Sequence, residues 1–156
     1  MARLAPGDVA PPFTLADEEG RPVSLADFAG RRVVVYFYPA DDTPGCTKEA
    51  CQFNELLPDF ASSGVEVLGI SPDPAASHRR FKERYGLGLT LLTDADHSVM
   101  EAYGAWGEKT LYGRTTLGVI RSTFLVGPDG RVERVWYGVR VDGHAEKVLA
   151  ALGSGS

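Results

Sequence analysis

The chain has 156 residues, 44% of them hydrophobic, and a formal net charge of −5. That fits one globular domain with its own core and gives no basic footprint for nucleic acid or an anionic membrane surface. No run approaches the ~20 apolar residues of a spanning helix, and residues 1–7 lack the apolar centre of a signal peptide. A cytoplasmic protein is expected, in which two cysteines point to redox chemistry or inert thiols rather than a structural staple.

In chain order, residues 8–15 and 22–25 flank the acidic turn Asp17-Glu18-Glu19-Gly20 and read as two short strands, with Pro11 and Pro12 limiting the first to a sheet edge. Residues 32–38 are a continuous apolar, β-branched run suited to a central strand covered on both faces. This strand leads into Tyr38-Pro39-Ala40-Asp41-Asp42-Thr43-Pro44-Gly45-Cys46-Thr47-Lys48-Glu49-Ala50-Cys51, which reads as loop and then helix. Thr43 suits the N-cap, Pro44 the first helical position, and Gly45 permits close approach of backbone to a neighbour. Cys46 falls in the first turn, where unpaired N–H groups and the positive end of the macrodipole stabilise a thiolate.

Advancing about 100° per residue from Cys46, Ala50, Phe53, Leu57 and Phe60 lie within about 40° of it and form an apolar stripe. Cys46 therefore faces the core. Cys51 comes out about 140° away, on the flank of Lys48 and Glu55. An intact helix separates the two Cα atoms by roughly 8–9 Å, beyond the ~7 Å limit for a disulfide. Either Cys51 is incidental or this helix unravels during the reaction. Pro58 should kink or end the helix, and a weakened helix there would ease unwinding.

Residues 65–70 supply the next buried strand, parallel to the first through a β-α-β crossover. Asp73-Pro74 opens a second helix that runs to Tyr85 and stops at Gly86. A short strand follows at 89–93, then a helix from about His97 to Tyr103 capped by Asp94 or Asp96. Residues 106–114 read as a loop. Residues 121–126 and 131–137 form a hairpin about Pro128-Asp129-Gly130, and Asp142 caps a final helix. The domain is expected to span residues 1–152, with 153–156 a flexible tail. His78, His97 and His144 lack ligand spacing and fit helix surfaces or starts, so no metal is expected.

Pro39, Thr43 and Cys46 spell Pro-x-x-x-Thr-x-x-Cys, which resembles the active-site signature of peroxiredoxins. Gly-Cys-Thr-Lys-Glu-Ala-Cys is similar to the subgroup called peroxiredoxin Q or bacterioferritin comigratory protein, as are the N-terminal segment and the stretch 106–114. The resemblance implies an α/β thioredoxin-like fold, a central mixed sheet flanked by helices with an N-terminal β extension. It also implies a thiol peroxidase acting on hydrogen peroxide and organic hydroperoxides. On that reading Cys46 is the nucleophile, Pro39 shields it, and Cys51 resolves its sulfenic acid as a disulfide. Arg121-Ser122-Thr123-Phe124 resembles the segment that brings an arginine to the sulfur, although periodicity alone does not single out Arg121 among twelve arginines. Glu49 resembles the acidic residue that holds that arginine, and Thr43 orients peroxide with it. The cycle implied needs no prosthetic cofactor, an external dithiol such as thioredoxin or glutaredoxin, and a monomer.

The chemistry requires this much. An unperturbed thiol is only about 3% ionised at neutral pH, so complete ionisation gains at most about thirtyfold and the site must also stabilise the departing oxygen. Two rivals compete with the peroxidase. A disulfide oxidoreductase is disfavoured because Thr43 replaces the first cysteine of Cys-x-x-Cys. A redox sensor would be oxidised without sustained turnover.

Overall fold

The computed structural model describes residues 3–154. Nine strands and five helices follow in the order β1 (Thr14–Asp17), β2 (Pro22–Ser24), β3 (Arg32–Phe37), α1 (Pro44–Glu55), α2 (Leu57–Ser62), β4 (Val65–Ser71), α3 (Ala75–Tyr85), β5 (Thr90–Thr93), α4 (Ser98–Ala102), β6 (Trp106–Leu111), β7 (Arg114–Val119), β8 (Ser122–Val126), β9 (Val132–Tyr137) and α5 (His144–Ser154). Seven strands make one mixed sheet, β2-β1-β5-β4-β3-β8-β9. β3 lies inside it, parallel to β4 and antiparallel to β8.

β3 shows why the sheet is buried on both faces. Val34 and Tyr36, with Tyr38 just beyond the strand, join one apolar cluster with Cys46, Ala50 and Phe53 of α1, Phe81 of α3 and Val148 of α5. Val33, Val35 and Phe37 join the opposite cluster with Met100 of α4 and Phe124 of β8. Strand alternation thus divides one apolar run between two layers. Tyr36 stacks on Phe53, with ring centroids 4.7 Å apart. A Cβ at Gly69 would lie 2.9 Å from the Tyr36 ring, so glycine leaves that ring its space.

Several expectations are corrected. β1 is internal, between β2 and β5, because the strand begins at Thr14, beyond both prolines, and β2 takes the edge. Residues 106–114 are no loop: β6, the two-residue turn at 112–113 and the first residue of β7 fall there, and the two strands pair as a separate antiparallel sheet. Much of this hairpin is exposed, with Tyr112 96% and Leu117 67% accessible, so it lacks the one-sided apolar alternation that marks a strand. α5 continues through Ser154, two residues into the expected tail, while 155–156 lie outside the described residues. Asp142 precedes that helix and pairs with Lys48 rather than capping it.

The cap positions differ as well. Asp73 does not cap α3; its carboxylate accepts from the Asp41 backbone N–H and the Ser71 hydroxyl. Both Asp94 and Asp96 serve α4, Asp94 accepting from the Val99 and Met100 N–H groups and Asp96 from Ser98. α1 breaks at Leu56 (φ −95°, ψ 1°), placing Pro58 in the first turn of α2, where a missing N–H costs little.

Candidate active site

The turn from β3 into α1 sets the site at the carboxyl end of a central strand. Thr43 occupies the N-cap position in extended conformation, but its hydroxyl does not cap the helix; it donates to the Ala40 carbonyl at 2.8 Å. Pro39 and Ala40 are half-buried beside it. Cys46 is 1% exposed in the first turn, on the stripe with Ala50 and Phe53.

Arg121 enters from the residue preceding β8. Its Nη2 donates to Cys46 Sγ at 3.3 Å and its Nη1 to Glu49 Oε1 at 2.5 Å. A Cβ on Gly45 would stand 3.3 Å from Nη2, so the close approach that Gly45 permits is that of the guanidinium. Glu49 is buried, not a solvated helix charge. Burial pushes its carboxyl up to about 7, against the Arg121 charge and hydrogen bond, which pull it down. The Glu49 and Cys46 charges hold Arg121 above its ordinary value, against burial, which lowers it. The result is a cation fixed against sulfur on one side and carboxylate on the other, with Cys46 and Glu49 of α1 brought together with Arg121, which immediately precedes β8.

Cys51 lies apart from this group. It is half-buried on the flank of the inner cluster, and burial, with the Glu55 charge, pushes its thiol up. Both cysteines are free thiols.

Sequence reasoning missed a second set of polar residues around Asp41 and Asp42. Tyr38 donates to Asp41 Oδ1 at 2.6 Å, Ser77 to Oδ2 at 2.8 Å, and His78 Nδ1 lies 2.7 Å from Oδ2. Asp42, in the left-handed region at φ 57°, accepts from Arg84 Nη1 at 2.8 Å and Tyr85 at 2.6 Å. His78 is therefore not on a helix surface but fully buried. One signal was available: His78, Phe81 and Tyr85 share the i, i+3, i+7 spacing of an inward face. His144 starts α5 as expected, buried against Thr123, and burial with the Lys147 and Arg121 charges holds it down to about 4. Among the described residues no group of three or more His, Cys, Asp or Glu is arranged to hold a metal, and no helix is long and apolar enough to cross a membrane.

Comparison with known proteins bears directly on this arrangement. The sequence model of the AhpC/TSA family matches residues 6–135. The chain belongs to the AhpC/TSA family. Among its relatives, peroxiredoxin Bcp of Escherichia coli K12 is 45% identical over 149 residues, covering 96% of each chain. The bacterioferritin comigratory protein of Xanthomonas campestris superposes with a TM-score of 0.86 at 42% identity, over 91% of this chain and 90% of the other. A cysteine-to-serine mutant of Xylella fastidiosa PrxQ gives 0.92 at 36% identity, over 99% and 98%. This AhpC/TSA member is a peroxiredoxin of the Bcp/PrxQ type with a thioredoxin-like fold, and its activity is that of a thiol-dependent peroxidase.

Proposed function

We propose that Cys46 is the attacking sulfur, that Cys51 resolves it, and that residues 1–152 act as one domain through the cycle. The observation that carries this is the Arg121 guanidinium 3.3 Å from Cys46 Sγ and 2.5 Å from Glu49 Oε1. The thiolate attacks one peroxide oxygen, the O–O bond breaks, and the departing oxygen takes up a proton, giving Cys46 sulfenic acid and water or an alcohol. Arg121 stabilises negative charge on sulfur and then on the departing oxygen, Glu49 fixes the guanidinium plane, and Thr43 and Pro39 border the approach.

Cys51 then condenses with the sulfenic acid, releasing water and forming the Cys46–Cys51 disulfide. The sulfurs leave α1 on different faces, so α1 must unwind locally between them. An external dithiol protein, of the thioredoxin or glutaredoxin kind, reduces the disulfide by exchange, and the cycle uses no prosthetic group. Substrates are hydrogen peroxide and organic hydroperoxides, the latter supported by the alkyl peroxide reduction described for the Xanthomonas relative. The chain acts as a monomer in the cytoplasm.

Intact mass of the reduced protein after one equivalent of hydrogen peroxide, with free thiols blocked at once, tests the reading. Loss of two hydrogens with no blockable thiol is expected. A stable one-oxygen adduct with Cys51 still blockable would remove Cys51 from the mechanism.

A further inference from the structure

The loop that presents Cys46 is held from α3. The Asp41 backbone N–H donates to Asp73 Oδ2 at 2.7 Å, and the Asp41 carboxylate collects the Tyr38 hydroxyl, the Ser77 hydroxyl and the His78 ring. The His78 and Asp41 side chains are 0% and 3% exposed. His78 Nε2 lies 3.1 Å from the Leu92 carbonyl oxygen, which can only accept, and Nδ1 faces a carboxylate. Both ring nitrogens therefore face acceptors, Nδ1 the Asp41 carboxylate and Nε2 the Leu92 carbonyl. Burial pushes the Asp41 carboxyl up, but the bonds from His78, Tyr38 and Ser77 outweigh it and leave the group below its ordinary value.

Replacing a buried hydrogen-bonded pair by apolar side chains of equal volume is often close to neutral, so the fold gains little from this one. Its geometric effect is larger. The next residue, Asp42, sits in the left-handed region, a conformation a non-glycine residue keeps only when its surroundings over-determine it. Asp41 is clamped on one side of it and Thr43 starts α1 on the other. Release of Asp41 would let Asp42 relax and turn Thr43 and the first turn of α1 away from the sulfur's approach.

We propose that His78 is a positioning residue for the peroxide reaction, acting through Asp41 to fix loop 39–43 against α3. This rests on Cys46 being the attacking sulfur. The test is the second-order rate constant of the reduced full-length chain with hydrogen peroxide, measured by stopped flow, with native fold checked by near-ultraviolet circular dichroism. His78→Asn keeps an N–H at the place of Nδ1, toward Asp41, whereas His78→Gln keeps one only at the place of Nε2, toward Leu92. The glutamine variant is expected to react at least about tenfold more slowly, and the asparagine variant to recover to within about threefold of wild type. Equal rates for the two folded variants, whether fast or slow, would overturn the proposal. Should neither fold, Ser77→Ala decides, since it removes one donor from Asp41 while leaving the His78 contact in place. A loss of about threefold supports the proposal and an unchanged rate overturns it. Cys46→Ser is run in parallel; peroxide consumption persisting there would overturn the assignment of the sulfur rather than that of His78.

Discussion

Cys46 and Cys51 stand five residues apart on one helix and in opposite mechanical situations. Cys46 is buried, with Arg121 from just before β8 against it and the preceding loop tied to α3 through Asp41 and Asp42. Cys51 is half-buried on the helix flank. The polar ties around the sulfur end at Glu49 and resume at Asn54, whose side chain accepts from Gly88 N–H at 2.7 Å and donates to Gly86 carbonyl at 3.2 Å. Cys46 is thus held by polar ties from β3–α1, α3 and Arg121, whereas Cys51 lies in a segment between two polar anchors that is fixed by apolar packing through Ala50 and Phe53. On the proposed mechanism, that packing is what must give way for the two sulfurs to meet.

Substitutions at either cysteine break this comparison most sharply. Cys46→Ser should lower peroxide consumption by at least about 10³-fold, since it removes the nucleophile itself. Cys51→Ser should leave the first oxidation within about twofold and halt the cycle at a sulfenic acid trappable by dimedone. Next comes Arg121→Met, expected to slow the first step by about 10²–10³-fold, the range for losing one preorganised donor to developing charge. Stopped-flow oxidation of reduced protein distinguishes these from effects on resolution.

Glu49 gives a pH signature on the Cys46 side alone. Its carboxyl titrates at about 7, so the rate of the first step should rise with pH through 7 as the charge that holds Arg121 appears. Glu49→Gln should erase that inflection and lower the rate at pH 8 about tenfold. Stability moves the other way. A carboxyl raised from 4.5 to about 7 in the folded state contributes fully below 4.5 and loses its contribution as pH rises toward 7, by about 3 kcal/mol. Urea midpoints at pH 4.5 and 8 should therefore differ less in Glu49→Gln than in wild type. The smallest effect is expected at Pro58. The helix already breaks at Leu56 and Pro58 lies in the first turn of α2, so Pro58→Ala should slow disulfide formation by about twofold at most and leave peroxide attack unchanged.

What could be read from the sequence follows the range over which the signal acts. The run 32–37, the Thr43-Pro44-Gly45 entry, the Cys46 stripe and the Pro58 break are all local, and each appears where periodicity and capping place it. Arg121 is different: its place beside Cys46 depends on β8 pairing with β3, and only family resemblance singled it out. The Asp41–His78 pair was missed because it joins residues 37 apart: the helical spacing of His78 could point it inward but could not name its partner. The β6–β7 hairpin was missed for the reverse reason: its exposed strands carry no apolar alternation.

The 75-residue interval between Cys46 and Arg121 has a consequence for the chain as it is made. At about 5–20 residues per second, synthesis takes roughly 4–15 s to add that interval, and β8 must then dock against β3. Until it does, Cys46 lacks the Arg121 guanidinium, and on the proposed mechanism the full reactivity of the sulfur waits for the pairing of β8 with β3.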